Sequence, residues 1–417
     1  MTNTTKRQRR SRSSTGEGQP RRALLDFGTS SARAVLVEVT PEGAEVLGYG
    51  AASGETGLAE PGRAARRDAL LHVAESALTA AERETTQSSA LPAIADVALV
   101  ALGGPLLETF PLVFEVKREA SEQPLSLEEF EQVWKRVCRL VLDRVGEREA
   151  EDRVRRRPVG VEFVGAAVGR RQVIGLPGPA GAPLGIAACG FAWPEAGLDV
   201  VTQVVADLDL ELSGLVPALQ AVARALPVPE AVLLDVGHSH TAVGLVEHHR
   251  LSRATSVPLG GRAFTEHVRR ALRISMRAAE VAKCQYALGH GAPDARARLA
   301  GVLERAAEEW ADQVEEAFIR LAASVPLPPR VYIFGGGGRL PELLAVLRRR
   351  NWTSPLPFPT RPAVDRLYPN RLHGLRDPRG LLQGPDQVTI AALAAWAAYR
   401  PDEMEQVAQR CWRELVG

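Results

Sequence analysis

An α/β fold of two lobes facing a shared cleft, with mixed sheets and a small α+β insert, is what this sequence predicts. Three stretches predict it. Leu24–Val39 reads as two apolar strands joined by Asp26-Phe27-Gly28-Thr29-Ser30-Ser31, a bend rich in small residues. Val232–Val246 repeats the plan far downstream: an apolar strand ends in Asp235-Val236-Gly237, His238-Ser239-His240-Thr241 follow, and an apolar strand returns. Val331–Phe334 is a third apolar run, ending in Gly335-Gly336-Gly337-Gly338 and opening a helix. A strand–turn–strand unit in each half implies two related lobes. Strands interleaved with helical periods imply sheets covered by helices.

The turns carry the chemistry. Clustered backbone N–H groups at Gly28–Ser31 and at Gly237, Ser239 and Thr241 form nests suited to phosphate. Asp26 and Asp235 close the strands before those nests and are suited to hold a divalent cation through water. Glycine at Gly335–Gly338 lets a flat ring approach the backbone closely. Any one of these turns alone is an ordinary hairpin or strand–helix junction. Together they point to one phosphate-bearing ligand. Arg33 reads equally as a surface residue and as a phosphate neighbour.

Composition narrows the class. A chain of 417 residues has room for two to four domains and a large core. A net charge of +1 gives no overall field for nucleic acid, and no nucleic-acid partner is expected. Cys138, Cys189, Cys284 and Cys411 show no C-x-x-C pairing and read as buried thiols of a reduced compartment. His238, His240, His248 and His249 lack a cysteine or carboxylate at ligand spacing, so zinc is not expected. No apolar run reaches membrane-spanning length and no secretion signal is read, so a cytoplasmic protein is expected. Residues 1–22 carry Lys6, Arg7, Arg9, Arg10, Arg12, Arg21 and Arg22 against Glu17 and are expected to be a disordered basic tail, solvated or touching acidic lipid or nucleic acid.

Each element follows from local pattern. Ala44–Ala51 reads as a third strand and Ser53–Arg63 as a glycine-rich loop. Asp68–Glu84 places Leu70, Val73, Ala74, Ala77, Leu78 and Ala81 at helical spacing. Ile94–Leu102 is a buried strand ending at Gly103-Gly104. Thr109–Arg118 is extended, and Ser126 with Glu129 caps a helix to about Val145. Arg148–Arg157 reads as a charged link, with strands at Val159–Val168, Gln172–Gly175 and Ile186–Trp193. This block, 106–195, reads as an insert between 23–105 and 196–230 of the first lobe. A helix at Gly197–Leu208, a strand at Asp209–Leu212 and a helix at Pro217–Leu226 lead to the second lobe, 231–400. That lobe has a strand at Arg250–Val257 and a helical part, 262–325, where Ser275 caps Met276–Tyr286 before the long helix Asp294–Ala323. Helices at Leu340–Arg350 and Val388–Tyr399 flank a Pro- and Arg-rich stretch, Thr353–Gly384, with little regular structure expected.

In order and spacing the three turns resemble the actin/Hsp70/hexokinase superfamily: two phosphate hairpins, then an adenosine turn. Within it the chain is similar to FtsA, the bacterial actin-like cell-division protein. Asp26–Ser30 matches the family's Asp-x-Gly-Thr-Ser, and Glu45–Gly50 with Ser53–Leu58 match the segment that follows. The insert lies where FtsA has its own SHS2-type subdomain. Glu280 and Lys283 match the family's Glu-x-x-Lys on a helix facing the ribose and base. The pilus protein PilM shares these motifs. The resemblance implies an actin-like, ribonuclease-H-like fold with a five-stranded mixed sheet in each lobe, binding ATP with Mg²⁺. It implies a cytoplasmic division adaptor that links the tubulin-like FtsZ to the membrane and polymerises with itself. A PilM-like scaffold of pilus or secretion assembly and a small-molecule kinase of the superfamily are the alternatives. Two histidines stand where FtsA has a glycine run, so any ATPase activity is expected to be slow.

The segment 401–417 reads as an amphipathic helix. Met404, Val407, Ala408, Cys411, Trp412, Leu415 and Val416 share one face, opposite Glu405, Gln409, Arg410 and Glu414. FtsA proteins end in a helix that binds the membrane surface, which implies a peripheral contact through 402–416. The mixed charge of the polar face and the short Arg400-Pro401 link favour packing on the body.

Overall fold

Three apolar strands start the first sheet: β1 (Arg21–Phe27), β2 (Ser31–Thr40) and β3 (Gly43–Ser53), antiparallel in sequence order. The computed structural model describes residues 21–58, 66–87, 92–323, 325–352 and 358–416. The expected basic tail, up to residue 20, lies outside the described residues, as do parts of the loops expected at 53–63 and 353–384. Helix α1 (Arg67–Thr85) crosses the three strands with Ala74, Ala77, Leu78 and Ala81 inward. Its approach is unusually close. A Cβ at Gly50 would stand 2.1 Å from the Ala77 carbonyl oxygen, and one at Gly48 2.2 Å from that of Ala81. Bare strand backbone is what lets an alanine-faced helix settle there. β4 (Val97–Leu102) then pairs in parallel with β1.

The chain leaves this sheet to build another. β5 (Glu108–Val116), α2 (Leu127–Asp152), β6 (Arg156–Val168), β7 (Arg171–Gln172) and β8 (Leu184–Pro194) give a four-stranded sheet in the order β5-β8-β6-β7. Ser126 caps α2 by accepting from the Glu129 N–H at 3.1 Å. The apolar face of α2, with Phe130, Trp134, Val137 and Cys138, covers this sheet. The charged link expected at Arg148–Arg157 is instead the last turns of α2 and the start of β6. Arg148 and Arg156 pair with Asp152 and Glu108, so the charges stitch the helix end to two strands.

α3 (Glu195–Asp207) brings the chain back, and β9 (Glu211–Pro217) pairs in parallel with β4 as the edge of the first sheet. The strand expected at Asp209–Leu212 is shifted because Asp209 adopts a left-handed turn, φ 58°. α4 (Ala218–Ala225) follows. The second half repeats the opening plan. β10 (Ala231–Val236), β11 (Thr241–Glu247) and β12 (Arg250–Val257) are antiparallel neighbours. α5 (Gly261–Leu272), α6 (Met276–Ala287) and α7 (Pro293–Ala322) follow, with Ser275 capping α6 through the Ala278 N–H. β13 (Arg330–Phe334) pairs in parallel with β10, as β4 does with β1. α8 (Pro341–Arg349) and β14 (Ala363–Arg366) complete a five-stranded sheet, β12-β11-β10-β13-β14.

The end of the chain departs from expectation. β15 (Leu375–Arg376) pairs with β3, giving the first sheet six strands where five were expected. α9 (Val388–Ala397), expected with the second lobe, lies on the first sheet instead and packs against α4. It is buried on nearly every side, and its core joins Leu24 and Val35 of the first sheet to Leu233 and Phe334 of the second. α10 (Glu403–Val416) lays Met404, Val407, Ala408 and Cys411 against α2 and β6. Trp134 donates its indole N–H to the Ala408 carbonyl at 3.1 Å, and Arg410–Glu131 and Lys135–Glu414 pair at the rim. The apolar face considered for a membrane surface is therefore largely covered by protein. No helix among the described residues is long and apolar enough to cross a membrane.

Candidate functional site

The two Asp-x-Gly hairpins use the same internal bond. Gly28 N–H donates to the Ser31 carbonyl and Gly237 N–H to that of His240, each at 2.9 Å. The turns face one another across the cleft, where the Ser239 hydroxyl donates to Thr29 Oγ1 at 3.4 Å. Different neighbours pin them. Buried Thr56 donates its hydroxyl to the Gly28 carbonyl at 2.6 Å and its N–H to that of Thr29 at 3.1 Å. On the other side, the Gly261 and Arg262 N–H groups at the start of α5 donate to the Gly237 and His238 carbonyls at 2.8 and 2.7 Å.

A cavity of about 450 Å³ lies between them. The first turn contributes Asp26, Gly28, Thr29, Ser30 and Ser31; the second contributes Asp235 and Gly237. α6 contributes Glu280 and Lys283, and the glycine turn contributes Gly335, Gly336 and Gly337. Three expected residues stand apart. Thr241 is fully buried, donating to the Leu259 carbonyl at 2.7 Å and accepting from Trp310 Nε1 at 2.9 Å, because as the first residue of β11 it faces the core. Gly338 is the middle residue of a 3₁₀ turn, its carbonyl taken by Arg366 Nε at 2.8 Å. Ser239 bridges the turns at their outer rim rather than lining the cavity floor. Lys283 reaches the cavity, yet its ammonium donates to Gly261 O, Thr265 Oγ1 and Glu280 Oε2 at 2.8–2.9 Å. It braces the wall and leaves Glu280 as the group with spare acceptor capacity.

Electrostatics separate the two aspartates. Asp26 lies directly across its hairpin from Arg33, and their side chains meet at 3.3 Å. Asp235 lies across from Ala242. Burial, and then the charge of Asp26, push the Asp235 carboxyl up to about 7. Burial also raises Asp26, against the pull of Arg33. Two half-buried carboxylates lining one cavity suit a hydrated cation. No group of three or more ligating side chains gathers among the described residues. A divalent ion here would rely on water and a ligand's phosphates, the habit of magnesium. Burial lowers His240 to about 4 and His238 below its usual range, so both imidazoles are neutral at pH 7 and add no charge to the cavity.

The glycine turn is shaped by contact. Gly335 has φ +84°, and a Cβ there would stand 2.3 Å from Asp235 Oδ1 and 2.7 Å from the Val236 carbonyl. No other residue fits that position without moving the aspartate. Gly336 opens to empty space. Other cavity residues were not singled out from the sequence: Arg339, paired with Asp386 (Nε to Oδ1, 2.8 Å), Trp193 and Leu288. Asp386 lies in the 3₁₀ turn Pro385–Gln387, just before α9, and no local signal marks it. Arg33 was legible in principle, since the hairpin turn sets it opposite Asp26.

No protein-family model and no curated protein matches the chain. Solved structures do. The protein is similar to a chain of the PilM–PilN type IV pilus biogenesis complex, with a TM-score of 0.62 and 17% identity over 90% of this chain and 98% of that one. The fold is therefore actin-like, two α/β lobes with mixed sheets. Ethanolamine utilization protein EutJ from Carboxydothermus hydrogenoformans matches at a TM-score of 0.48 and 14% identity, over 90% of this chain and 89% of that chain. The MamK double helical filament matches at 0.46 and 13%, over 91% and 100%.

The actin-like frame carries a second cavity, of about 410 Å³, between the four-stranded sheet and the first lobe. β6 (Val161, Phe163), β9 (Ser213, Leu215) and Trp412 of α10 wall it. β9 is an edge strand, and β6 over 156–165 is paired only with β8 among the described residues. Arg224 lines the same groove. Its side chain is 10% exposed, and its Nε has no hydrogen-bond partner among the described residues.

Proposed function

We propose that the chain is an actin-like nucleotide-binding scaffold that holds ATP with Mg²⁺ between its lobes and docks a segment of a partner protein, in the manner of PilM. The observation that carries the nucleotide reading is the convergence of three distant turns on one cavity, with Asp26, Asp235 and Gly336 all lining it. The first two turns would take the phosphates, Asp26 and Asp235 the hydrated cation, Glu280 the ribose, and Gly336–Gly337 the face of the base. Magnesium supplies charge neutralisation between the carboxylates and the phosphates.

The PilM-like partner reading is supported by the similarity over nearly the whole of that chain and by the β6–β9 groove. An extended peptide can add to an unpaired strand edge. The FtsA-type reading shares the cleft and self-association. Its membrane-binding helix loses support here, because the apolar face of α10 lies on α2 and β6.

Titration with ATP in the presence and absence of Mg²⁺ tests the cleft. Asp26→Ala and Gly336→Asp are each expected to weaken binding at least about tenfold, and unchanged affinity in both removes the nucleotide reading. Binding of peptides from pilus inner-membrane proteins, against binding of FtsZ, tests the partner. Capture of FtsZ alone returns the division role.

A further inference from the structure

We infer that the C-terminal helix α10 is a tie bar that couples the nucleotide cleft to the β6–β9 groove through the Arg250–Glu405–Arg224 cluster. The inference rests on the reading of both cavities as ligand sites and adds how one regulates the other. Glu405 is the centre. It is 3% exposed, a position at which an acid needs cationic partners. Its carboxylate accepts from Arg224 Nη1 at 2.6 Å and from Arg250 Nε at 3.1 Å, and Tyr399 donates its hydroxyl to it. Arg224 belongs to α4, at the groove floor, and Arg250 to β12 of the second sheet. One side chain of α10 therefore joins arginines from opposite halves of the molecule.

Each arginine also grips the groove wall. Arg224 donates to Glu162 on β6. Arg250 stands 3.7 Å from the same carboxylate and lies over the Phe163 ring at 5.5 Å. Gln220 completes the satisfaction of Glu162. α10 itself contributes Trp412 to the groove.

The other end of β12 reaches the cleft. Val257 pairs with Thr241 at the mouth of the second hairpin. The loop after it packs so tightly on the phosphate turn that a Cβ at Gly260 would lie 2.6–2.8 Å from the backbone of Gly237, His238 and His240. A ligand that shifts the second turn therefore shifts β12, since no slack lies between them. At its far end β12 carries Arg250, which either keeps or yields its grip on Glu405 and Phe163. A groove occupant that packs on Phe163 or displaces the Arg224 side chain acts on the same cluster from the other side. Two ligands biasing one element are thermodynamically coupled, and the coupling is reciprocal.

The test is hydrogen exchange of residues 403–416 in the full chain, with and without saturating Mg²⁺–ADP, alongside a direct measurement of ADP binding. Exchange in α10 is expected to change by about threefold or more on ADP binding. In Arg250→Gln, ADP is expected to bind as tightly as in the unmodified chain while the α10 response disappears. Arg250→Lys, which keeps the charge, is expected to retain part of it. ADP binding without any response in α10, or a response undiminished in Arg250→Gln, overturns the inference and leaves the cleft reading intact. Absence of binding of both ADP and ATP removes the cleft reading, and the inference falls with it. The unmodified chain decides the first of these outcomes without any variant.

Discussion

The two Asp-x-Gly hairpins share a backbone and differ in charge. In each, a strand ends in aspartate, a glycine N–H closes the turn at 2.9 Å, and an antiparallel strand returns. Across from Asp26 stands Arg33; across from Asp235 stands Ala242. One carboxylate arrives already paired, and the other waits for charge from outside. The third turn reinforces the asymmetry, since Gly335 presses on Asp235 and not on Asp26. A repeated fold has thus produced one half-site that is settled and one that responds.

The largest way to break the comparison is to crowd the responsive half. Gly335→Ala meets both a left-handed φ and the Asp235 carboxylate, and is expected to destabilise the protein by about 3 kcal/mol. It is also expected to abolish nucleotide binding. Thermal unfolding and ATP titration check both.

Charge removal is expected to split the hairpins by size. Burial raises Asp26 too, but Asp26→Asn also strips the partner of Arg33, so its gain at pH 8 is expected to be smaller than that of Asp235→Asn. Asp235→Asn is expected to stabilise the ligand-free protein at pH 8 by on the order of 1 kcal/mol, because it removes a carboxylate that resists ionisation in the fold. The sign follows from a folded value raised to about 7: that contribution is present at low pH and is lost as pH rises through 7. Equal effects of the two variants in denaturant melts would erase the distinction.

A smaller effect sharpens it. His240 belongs to the second turn only, and burial lowers it to about 4. Its stabilising contribution is present above the unfolded value near 6.5 and is lost as pH falls toward 4. Replacing it by Asn is expected to flatten the stability profile between pH 6.5 and 4 by on the order of 1 kcal/mol, read from unfolding at each pH.

Much of this site was legible because its signals are local. Asp26–Ser31, Asp235–Gly237 and Gly335–Gly337 each occupy one short stretch, where apolar runs give way to small residues. Strand alternation decides what local reading cannot. Thr241 looked like its neighbours until the register turned it inward to Trp310. Lys283 read as a ligand because a motif does not reveal that all three of its protons are engaged. Asp386 and the return of α9 to the first sheet depend on long-range packing. The amphipathic face of α10 was plain, while the residues that cover it, Trp134 and its neighbours on α2, lie far away in the chain.

α9 has a mechanical consequence. It lies on the first sheet and packs against α4, which in turn rests on β11 and β12 of the second. With almost no polar face, α9 cannot be bared to water without losing much of the shared core. The halves therefore cannot swing apart like a clam. Any opening of the cleft is therefore expected to leave the α4–α9 seam closed, with the seam as its axle.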